Sequence, residues 1–210
     1  MNAGSLKLYL VTDRVLSRGR DILWIVEEAV RGGVTMVQLR EKDCSTRDFI
    51  ALASALKPTL SKAGVPLIIN DRVDVALAVD ADGVHIGQSD MPYPMARRIL
   101  GYDRIIGLSV ENMEQVEYAN GLDVDYIGIS PVFSTPTKTD TAEPFGLAGL
   151  KKAVRLSKHP AVGIGGMNLD TVEGVISAGA DGIAVVSAIM GAGSPYEAAE
   201  ALRHAIEKQI

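Results

Sequence analysis

Residues 65–90 read VPLIINDRVDVALAVDADGVHIGQSD. Two apolar runs, 65–69 and 83–86, flank a short segment of helical period at 73–79, which is the pattern of two parallel strands joined by a helix. Each run leads to a carboxylate, Asp71 after the first and Asp90 after the second. If the two strands are neighbours, both carboxylates lie at one edge of the sheet, where they repel, share a proton or hold a divalent cation.

The same alternation of apolar runs and helical segments extends over the whole chain. It predicts strands at 8–11, 36–39, 67–69, 83–86, 105–108, 126–129, 161–164 and 182–186, and helices at 21–31, 46–62, 73–79, 93–100, 113–120, 147–157, 169–177 and 195–207. An open doubly wound sheet usually has five or six strands. Eight βα units therefore favour a single α/β domain, residues 1–210, folded as a closed (β/α)8 TIM barrel with its active site at the carboxyl ends of the strands.

Composition excludes several classes of protein. The chain has 210 residues, 47% of them hydrophobic and 22% charged, which is ordinary for one globular domain. A formal net charge of -5 gives no basic surface for nucleic acid. No apolar run approaches the roughly 18 residues of a membrane span, and the first residues lack the layout of a signal peptide. We expect a cytoplasmic protein whose single cysteine, Cys44, is a small loop residue rather than a nucleophile.

The residues that follow the predicted strands are strongly polar. They include Thr12, Asp13, Gln38, Arg40, Glu41, Lys42, Asn70, Asp71, Arg72, Gln88, Asp90, Ser109, Ser130, Lys138 and Ser187. This set contains neither histidine nor cysteine, and so it lacks the usual pairs of nucleophile and base. His85 lies inside the fourth strand, where a hydrogen-bonded structural role is expected. We expect His159 and His204 to be solvated.

Cations and paired carboxylates occur together in this set. Asp71 could cap the third helix, and Asp90 could begin the turn before Pro92. Basic side chains beside the two carboxylates favour a different interpretation, a Mg²⁺-bound diphosphate, because the metal bridges carboxylate and phosphate oxygens while the cations neutralise the remaining charge. Those basic side chains are Arg40, Lys42, Arg72 and Lys138.

A second anion site is predicted on the last two strands. Gly163-Ile164-Gly165-Gly166 follows the seventh strand, and Ser187 follows the eighth. Loops at these positions of a barrel often bind phosphate, although the glycines could instead form a tight turn. Two phosphate sites, one with a metal, imply two phosphorylated substrates and therefore a transferase.

Seven ordered motifs carry a resemblance to a known family. They are Tyr9-Leu10-Val11-Thr12-Asp13, Val37-Gln38-Leu39-Arg40-Glu41-Lys42, Ile69-Asn70-Asp71-Arg72, Gly83-Val84-His85-Ile86-Gly87-Gln88-Ser89-Asp90, Asp125-Tyr126-Ile127-Gly128, Pro131-Val132-Phe133-Ser134-Thr135-Pro136-Thr137-Lys138 and Val186-Ser187-Ala188-Ile189. With them the chain resembles the thiamine-phosphate synthase family. The resemblance implies that 4-amino-2-methyl-5-hydroxymethylpyrimidine diphosphate is joined to hydroxyethylthiazole phosphate, or to its carboxylated form, giving thiamine monophosphate and diphosphate.

The resemblance also implies roles for individual residues. Asp71 and Asp90 look like ligands of Mg²⁺. The pyrimidine diphosphate contacts would be Gln38, Leu39, Arg40, Glu41, Lys42, Asn70, Ser109 and Lys138, of which Lys42, Ser109 and Lys138 would be catalytic. The thiazole phosphate contacts would be Thr135, Pro136, Thr137, Gly166, Val186 and Ser187. Diphosphate would leave first, and the thiazole nitrogen would capture the pyrimidine methyl cation.

Other interpretations remain open. Glu111 stands two residues after Ser109, at a position where many family members carry histidine. The run 135–140 could be an exposed turn or a lid that excludes water. A related thiazole tautomerase uses the thiazole phosphate alone and needs no diphosphate and metal site. A noncatalytic phosphate-binding barrel is the more distant alternative, and an apolar helix face on a barrel exterior is compatible with a homodimer.

Overall fold

Eight parallel strands close into a barrel in the computed structural model, which describes residues 3–134 and 143–209. The strands follow one another in sequence order, and β8 pairs with β1. They are β1 (Leu8–Val11), β2 (Met36–Leu39), β3 (Leu67–Asn70), β4 (Gly83–Ile86), β5 (Ile105–Val110), β6 (Tyr126–Ile129), β7 (Ala161–Ile164) and β8 (Gly182–Val185). The predicted (β/α)8 barrel is thus confirmed.

Helices cover the outside of the barrel. They are α1 (Ile22–Arg31), α2 (Thr46–Ala63), α3 (Val73–Ala78), α4 (Tyr93–Leu100), α5 (Met113–Ala119), α6 (Gly146–Leu156), α7 (Val172–Ser177), α8 (Ser187–Met190) and α9 (Pro195–Glu207), and a 3₁₀ turn (Ala3–Leu6) precedes β1. Within the described part of the chain, none of these helices is long and apolar enough to cross a membrane.

Several element ends differ from those predicted. Strand β5 continues to Val110, so Ser109 lies inside the strand rather than after it. Helix α7 begins at Val172, three residues later than predicted, because residues 168–171 form a turn in which the Asn168 side chain accepts the backbone N–H groups of Asp170 and Thr171. The short helix α8 was not among the predicted helices. It begins directly after β8 and places Ser187 in its first turn.

Side chains alternate along each strand between two cores. Leu8 and Leu10 of β1 face the helices and belong to the large outer core, whereas Tyr9 and Val11 face the barrel interior. This two-residue period also separates Gln38, which faces inward, from Leu39, which is fully buried in the outer core. The inward positions near the carboxyl ends form the floor and walls of the barrel mouth.

At the opposite end of the barrel, three aspartates that directly precede a strand bind the neighbouring strand. The Oδ2 atoms of Asp82, Asp125 and Asp181 accept hydrogen bonds of 2.8, 2.9 and 2.8 Å from backbone N–H groups. The donors are Leu67, Ile106 and Ala161, each at or near the start of the preceding strand. These contacts fix the amino-terminal ends of the strands and so align the carboxyl ends.

Candidate active site

A cavity of about 430 Å³ opens at the carboxyl ends of the strands. It brings together ten of the sequence-predicted site residues, from six of the eight strands and the loops that follow them. These are Gln38, Arg40, Lys42, Asn70, Asp71, Asp90, Ser109, Gly166, Val186 and Ser187. Four further predicted residues, Thr135, Pro136, Thr137 and Lys138, lie outside the described part of the chain, as does the whole of the predicted lid at 135–140.

Asp71 and Asp90 are neighbours in this cavity. Lys42 donates a hydrogen bond of 2.5 Å from Nζ to Oδ2 of Asp71. Partial burial and the adjacent Asp71 carboxylate raise the pKa of Asp90, while the Gly87 N–H, 2.7 Å from Asp90 Oδ2, acts in the opposite direction. Asp71 also has a φ of 61°, which is uncommon outside glycine and is often found where function constrains the backbone. Two crowded carboxylates with one lysine leave negative charge that a cation can neutralise.

The two carboxylates of Asp71 and Asp90 suit Mg²⁺, which needs few protein ligands, better than a metal ion that is bound by protein side chains alone. In residues 3–134 and 143–209, no group of three or more His, Cys, Asp or Glu side chains could hold a metal. Mg²⁺ commonly takes one or two carboxylates and completes its shell with water and substrate phosphate. Asp71 is not the cap of α3, because Arg72 occupies that position and makes no side-chain capping bond. Asp90 does close a turn onto Gly87, and its other oxygen can still bind a ligand.

Three residues near this cluster were predicted to contact the pyrimidine diphosphate, but only one of them lines the cavity with its side chain. Arg40 lines the cavity and bonds to Asp13 at 3.2 Å. The carboxylate of Glu41 is held by Arg14 through bonds of 2.8 and 3.0 Å. Its side chain is 2% exposed, so Glu41 supports the β2–α2 loop through its ion pair with Arg14. The Leu39 side chain packs against helices, which leaves only its backbone to face a ligand.

Arg72 pairs with Asp74 and Thr46 at the surface instead of joining the cavity. Cys44 is a partly buried loop residue, and burial together with the nearby Glu41 raises the pKa of its thiol, which disfavours a nucleophilic thiolate. The expectation for Cys44 is therefore supported, and Arg72 forms a surface ion pair.

The other side of the cavity is formed by the β7–α7 loop and the start of α8. Gly165 and Gly166 have φ angles of 96° and 70°. A Cβ atom at Gly165 would lie 2.9 Å from Cβ of Pro131, and one at Gly166 would lie 2.8 Å from Cβ of Phe133. Glycine is thus needed here both for the backbone conformation and for close packing against the β6–α6 loop. Gly165, Gly166 and Ser187 all line the cavity.

At and below the floor of the cavity lies a hydrogen-bonded group of residues that the sequence did not identify as part of the site. The Tyr9 and Tyr126 hydroxyls are 2.8 Å apart, and His85 bonds to Tyr126 through Nδ1 at 2.9 Å and to Ser109 through Nε2 at 2.8 Å. Burial lowers the pKa of His85 to about 4, only partly offset by the nearby Asp71. The expected structural role of His85 is therefore supported, but its ring also reaches the cavity. Strand parity was the available signal, because Tyr9, His85 and Tyr126 occupy inward positions.

The two remaining histidines differ from each other. His204 is exposed on α9, as expected. His159 is only partly exposed, and its Nε2 lies 2.9 Å from the carbonyl oxygen of Ala119. The expectation of a solvated His159 was wrong, because its turn packs against the end of α5. Glu111, at the position where histidine is common in the family, lines the cavity.

Comparisons with known proteins agree with this geometry. The profile of a family described as Thiamine monophosphate synthase matches residues 8–189. A thiamine-phosphate synthase of Albidiferax ferrireducens is 54% identical over 203 residues, covering 97% of this chain and 93% of that protein. One from Syntrophomonas wolfei is 50% identical over 201 residues, covering 96% of each. The solved thiamine phosphate pyrophosphorylase of Pyrococcus furiosus has a TM-score of 0.91 at 40% identity, covering 99% of this chain and 98% of that one.

Proposed function

Because the chain belongs to the thiamine monophosphate synthase family, we propose that the mouth of its barrel joins an aminopyrimidine to a thiazole. The enzyme is a transferase. It couples 4-amino-2-methyl-5-(diphosphooxymethyl)pyrimidine with 4-methyl-5-(2-phosphooxyethyl)thiazole and releases diphosphate and thiamine monophosphate. One observation carries the assignment: a single cavity has a cluster of carboxylates and cations on one side and a glycine–serine loop pair on the other.

The pyrimidine diphosphate occupies the side formed by β2, β3 and β4. Asp71 and Asp90 are the residues that would hold Mg²⁺, since this ion commonly takes one or two carboxylates from the protein. Mg²⁺, when bound, neutralises charge on the diphosphate. Lys42 and Arg40 line the same side and bind the remaining phosphate oxygens. Gln38, Asn70 and Ser109 lie deeper and contact the pyrimidine, while the backbone of Leu39 and the Arg14-bound Glu41 support the loop.

The chemistry needs leaving-group stabilisation more than a base. The bond between the methylene carbon and the diphosphate oxygen breaks, and the electron pair leaves with diphosphate. The thiazole nitrogen then donates its lone pair to the resulting pyrimidine methyl cation. That nitrogen carries no proton, so no residue has to remove one. Lys42, Arg40 and Lys138 stabilise the developing negative charge, and the walls position the two rings.

The thiazole phosphate occupies the opposite side of the cavity. Gly166, Val186 and Ser187 line this side, and the positive φ angles of Gly165 and Gly166 allow the backbone to approach an anion closely. The family resemblance adds Thr135, Pro136 and Thr137 as further proposed contacts of the thiazole phosphate. The separation of the two anion sites across one cavity brings the two reacting atoms towards its centre.

The decisive experiment is a reconstitution with purified protein. The protein is mixed with both substrates and MgCl₂, and thiamine monophosphate and diphosphate are measured separately. Equal amounts of both products, formed only when both substrates are present and lost on chelation with EDTA, are expected. Isomerisation of the thiazole without coupling, or binding of either substrate without turnover, would overturn the proposal.

The placement of the two substrates has its own test. Ser187→Ala should raise the KM for the thiazole phosphate and leave the KM for the pyrimidine diphosphate unchanged. Ser89→Ala, which alters a cavity residue on the opposite side, is the matched serine control and should not raise the thiazole KM. An effect of Ser187→Ala confined to the pyrimidine substrate would show that the two sites are exchanged.

We further propose that residues 1–210 form a single domain and that the protein is a cytoplasmic homodimer. Support for the dimer comes from α4, where Met95 and Ile99 lie one turn apart and are 51% and 45% exposed, next to Tyr102 at 81%. Sedimentation equilibrium of the wild type and of Ile99→Lys tests the dimer, and cell fractionation tests the location. A wild-type monomer at micromolar concentration would contradict the dimer.

A further inference from the structure

A chain of five polar side chains runs across the barrel interior beneath the mouth. Gln38 donates from Nε2 to the Tyr9 hydroxyl at 2.8 Å, and the Tyr9 and Tyr126 hydroxyls are 2.8 Å apart. The Tyr126 hydroxyl is 2.9 Å from Nδ1 of His85, whose Nε2 is 2.8 Å from Oγ of Ser109. The chain therefore begins and ends at two residues that the proposed function places against the pyrimidine.

Two glycines on the strands leave room for the rings of this hydrogen-bond chain. A Cβ atom at Gly107 would lie only 2.1 Å from Cζ of Tyr126, and one at Gly128 would lie 3.2 Å from Cε1 of His85. Tyr9 and Tyr126 are 1% and 0% exposed, so neither hydroxyl can exchange its partners for bulk water. In the described residues, every buried side-chain nitrogen or oxygen has a hydrogen-bond partner. The Tyr9 and Tyr126 rings are therefore packed in one arrangement. Their hydroxyl protons can be donated only to neighbouring side chains of the same hydrogen-bond chain.

The order of protons along the chain follows from counting donors. The Gln38 NH₂ group can only donate, so the Tyr9 oxygen accepts and the single Tyr9 proton is left for Tyr126. Tyr126 then has its own proton for Nδ1 of His85. With Nδ1 accepting, a neutral His85 carries its proton on Nε2 and donates it to Ser109. Each donor along the chain therefore determines the next one.

We propose that Tyr9, Tyr126 and His85 are positioning residues that set the hydrogen-bonding direction of Gln38 and Ser109 towards the pyrimidine. With this order, Gln38 presents its carbonyl oxygen to the mouth and Ser109 has its hydroxyl proton free to donate there. An aminopyrimidine has the complementary groups, an NH₂ donor and ring-nitrogen acceptors. The inference rests on the proposed function, because that function places the aminopyrimidine between these two side chains.

The opposite order is chemically consistent and makes the proposal testable. If the Gln38 amide were rotated, its oxygen would accept from Tyr9, every later bond would reverse, and His85 would carry its proton on Nδ1. Ser109 would then use its proton on His85 and could only accept in the mouth, while Gln38 would direct NH₂ against the substrate's NH₂. The His85 tautomer therefore reports the direction of the whole chain.

The first measurement is the tautomer of His85 in the ligand-free protein. The chain has three histidines, so ¹⁵N-histidine labelling and long-range ¹H–¹⁵N correlation spectra give three ring patterns. His159→Gln and His204→Gln identify the signals of the other two rings and leave His85 itself unaltered. A neutral Nε2–H ring at pH 7 is expected, and an Nδ1–H ring or a mixture of tautomers would overturn the proposal.

The second measurement is the split of kinetic effects in Tyr126→Phe, which removes the donor to Nδ1 and keeps the ring. We expect the KM for the pyrimidine diphosphate to rise about tenfold, the KM for the thiazole phosphate to stay within about twofold, and the Nε2–H preference to weaken. Tyr196→Phe, which removes a surface bond to Glu200, is the matched control and should change none of these. An equal rise in both KM values, or an unchanged tautomer, would contradict the proposal.

The two proposals fail in different ways. A protein with an Nε2–H ring that does not couple the substrates would contradict the proposed function alone. A coupling enzyme with an Nδ1–H ring would contradict the proton order alone. If Tyr126→Phe does not fold, Tyr9→Phe removes the acceptor of Gln38 at the other end of the chain and is expected to give the same split between the KM values, whereas an equal rise in both would again contradict the proposal.

Discussion

The two ends of the barrel use the same residue type in opposite ways. At the amino-terminal end, Asp82, Asp125 and Asp181 each accept a backbone N–H from a neighbouring strand. At the mouth, Asp71 and Asp90 crowd each other, and the pKa of Asp90 is raised. The first arrangement satisfies its carboxylates within the protein, whereas the second leaves negative charge for a ligand to neutralise.

The difference lies in what each carboxylate contacts. Asp125 bonds to the Ile106 N–H and to Arg97, whose side chain is 8% exposed. Asp71, in contrast, has a left-handed backbone and contacts Lys42, which is half exposed and able to move to a phosphate. An aspartate that precedes a strand can therefore be expected to stabilise the fold, and one that follows a strand to bind ligand, as in barrels generally.

The largest expected effect is on activity at the mouth. Asp71→Asn keeps the size and the tolerated left-handed conformation but removes the charge that Mg²⁺ needs. We expect the coupling rate at saturating Mg²⁺ to fall at least about 10²-fold, which corresponds to about 2.7 kcal/mol of transition-state stabilisation. Steady-state assays of Asp71→Asn and Asp90→Asn check this.

Both variants should retain the fold. Their thermal unfolding midpoints should match or exceed that of the wild type, since no strand-pairing bond is lost. Near-normal turnover in either variant would refute the metal assignment. Reduced turnover together with a large loss of stability would show that the mouth aspartates are structural and would remove the contrast between the two ends.

The next effect is on stability at the opposite end. Asp125→Ala removes the acceptor of the Ile106 N–H and leaves the guanidinium of Arg97 without its carboxylate. Arg97 keeps bonds to three backbone carbonyls, those of Gly101, Arg104 and Asp123, so the cost is less than that of a fully orphaned charge. We expect the free energy of unfolding to fall by about 2 kcal/mol in urea titrations. The activity per folded molecule should be unchanged, and a selective loss of kcat would contradict this.

The sequence predicted the eight strands well, because a parallel strand buried on both faces is a short apolar run bounded by turn residues. It also predicted that Asp71 and Asp90 meet, since consecutive βα units place strand ends side by side. The tripeptide Ala-Asp-Gly occurs at 81–83 and again at 180–182, each time between the end of a helix and the start of a strand. The hydrogen bonds of its aspartate to the preceding strand became visible only with the register of the sheet.

Other parts of the site depend on contacts that a local pattern does not encode. Glu41 is paired with Arg14 because the β1–α1 and β2–α2 loops meet in space, 27 residues apart in sequence. The roles of Tyr9 and Tyr126 arise across the barrel, between strands that are not neighbours. The two-residue period of a strand does not distinguish an inward tyrosine from an inward apolar residue. The hydrogen bonds between these side chains could therefore be recognised only in the closed barrel.

A smaller loss of stability is expected at Asp181, whose side chain bonds only to a backbone N–H group among the described contacts. Asp181→Ala removes the bond of 2.8 Å from the Ala161 N–H, and Asp181 is exposed, so water can replace part of that bond. We expect a loss of about 1 kcal/mol, half that of Asp125→Ala, by the same urea titration. Asp181→Asn retains an acceptor oxygen and should recover most of it. A loss equal to that of Asp125→Ala would show that the Arg97 ion pair contributes nothing.

The smallest expected effect is a gain in the free energy of unfolding, in Asp90→Asn. It contrasts directly with the losses expected for the aspartates at the amino-terminal end of the barrel. The folded-state pKa of Asp90 is raised by burial and by Asp71, so the stability associated with its protonated form is present at acidic pH and lost as the pH rises through that folded-state pKa. At pH 7, without Mg²⁺, Asp90→Asn should therefore increase the free energy of unfolding, by up to about 1 kcal/mol after allowance for solvent screening. The substituted amide oxygen can still accept the Gly87 N–H. Urea titrations with EDTA at pH 7 measure this gain, which should shrink when the comparison is repeated at pH 4; a loss of stability at pH 7 would place Asp90 with the structural aspartates of the other end.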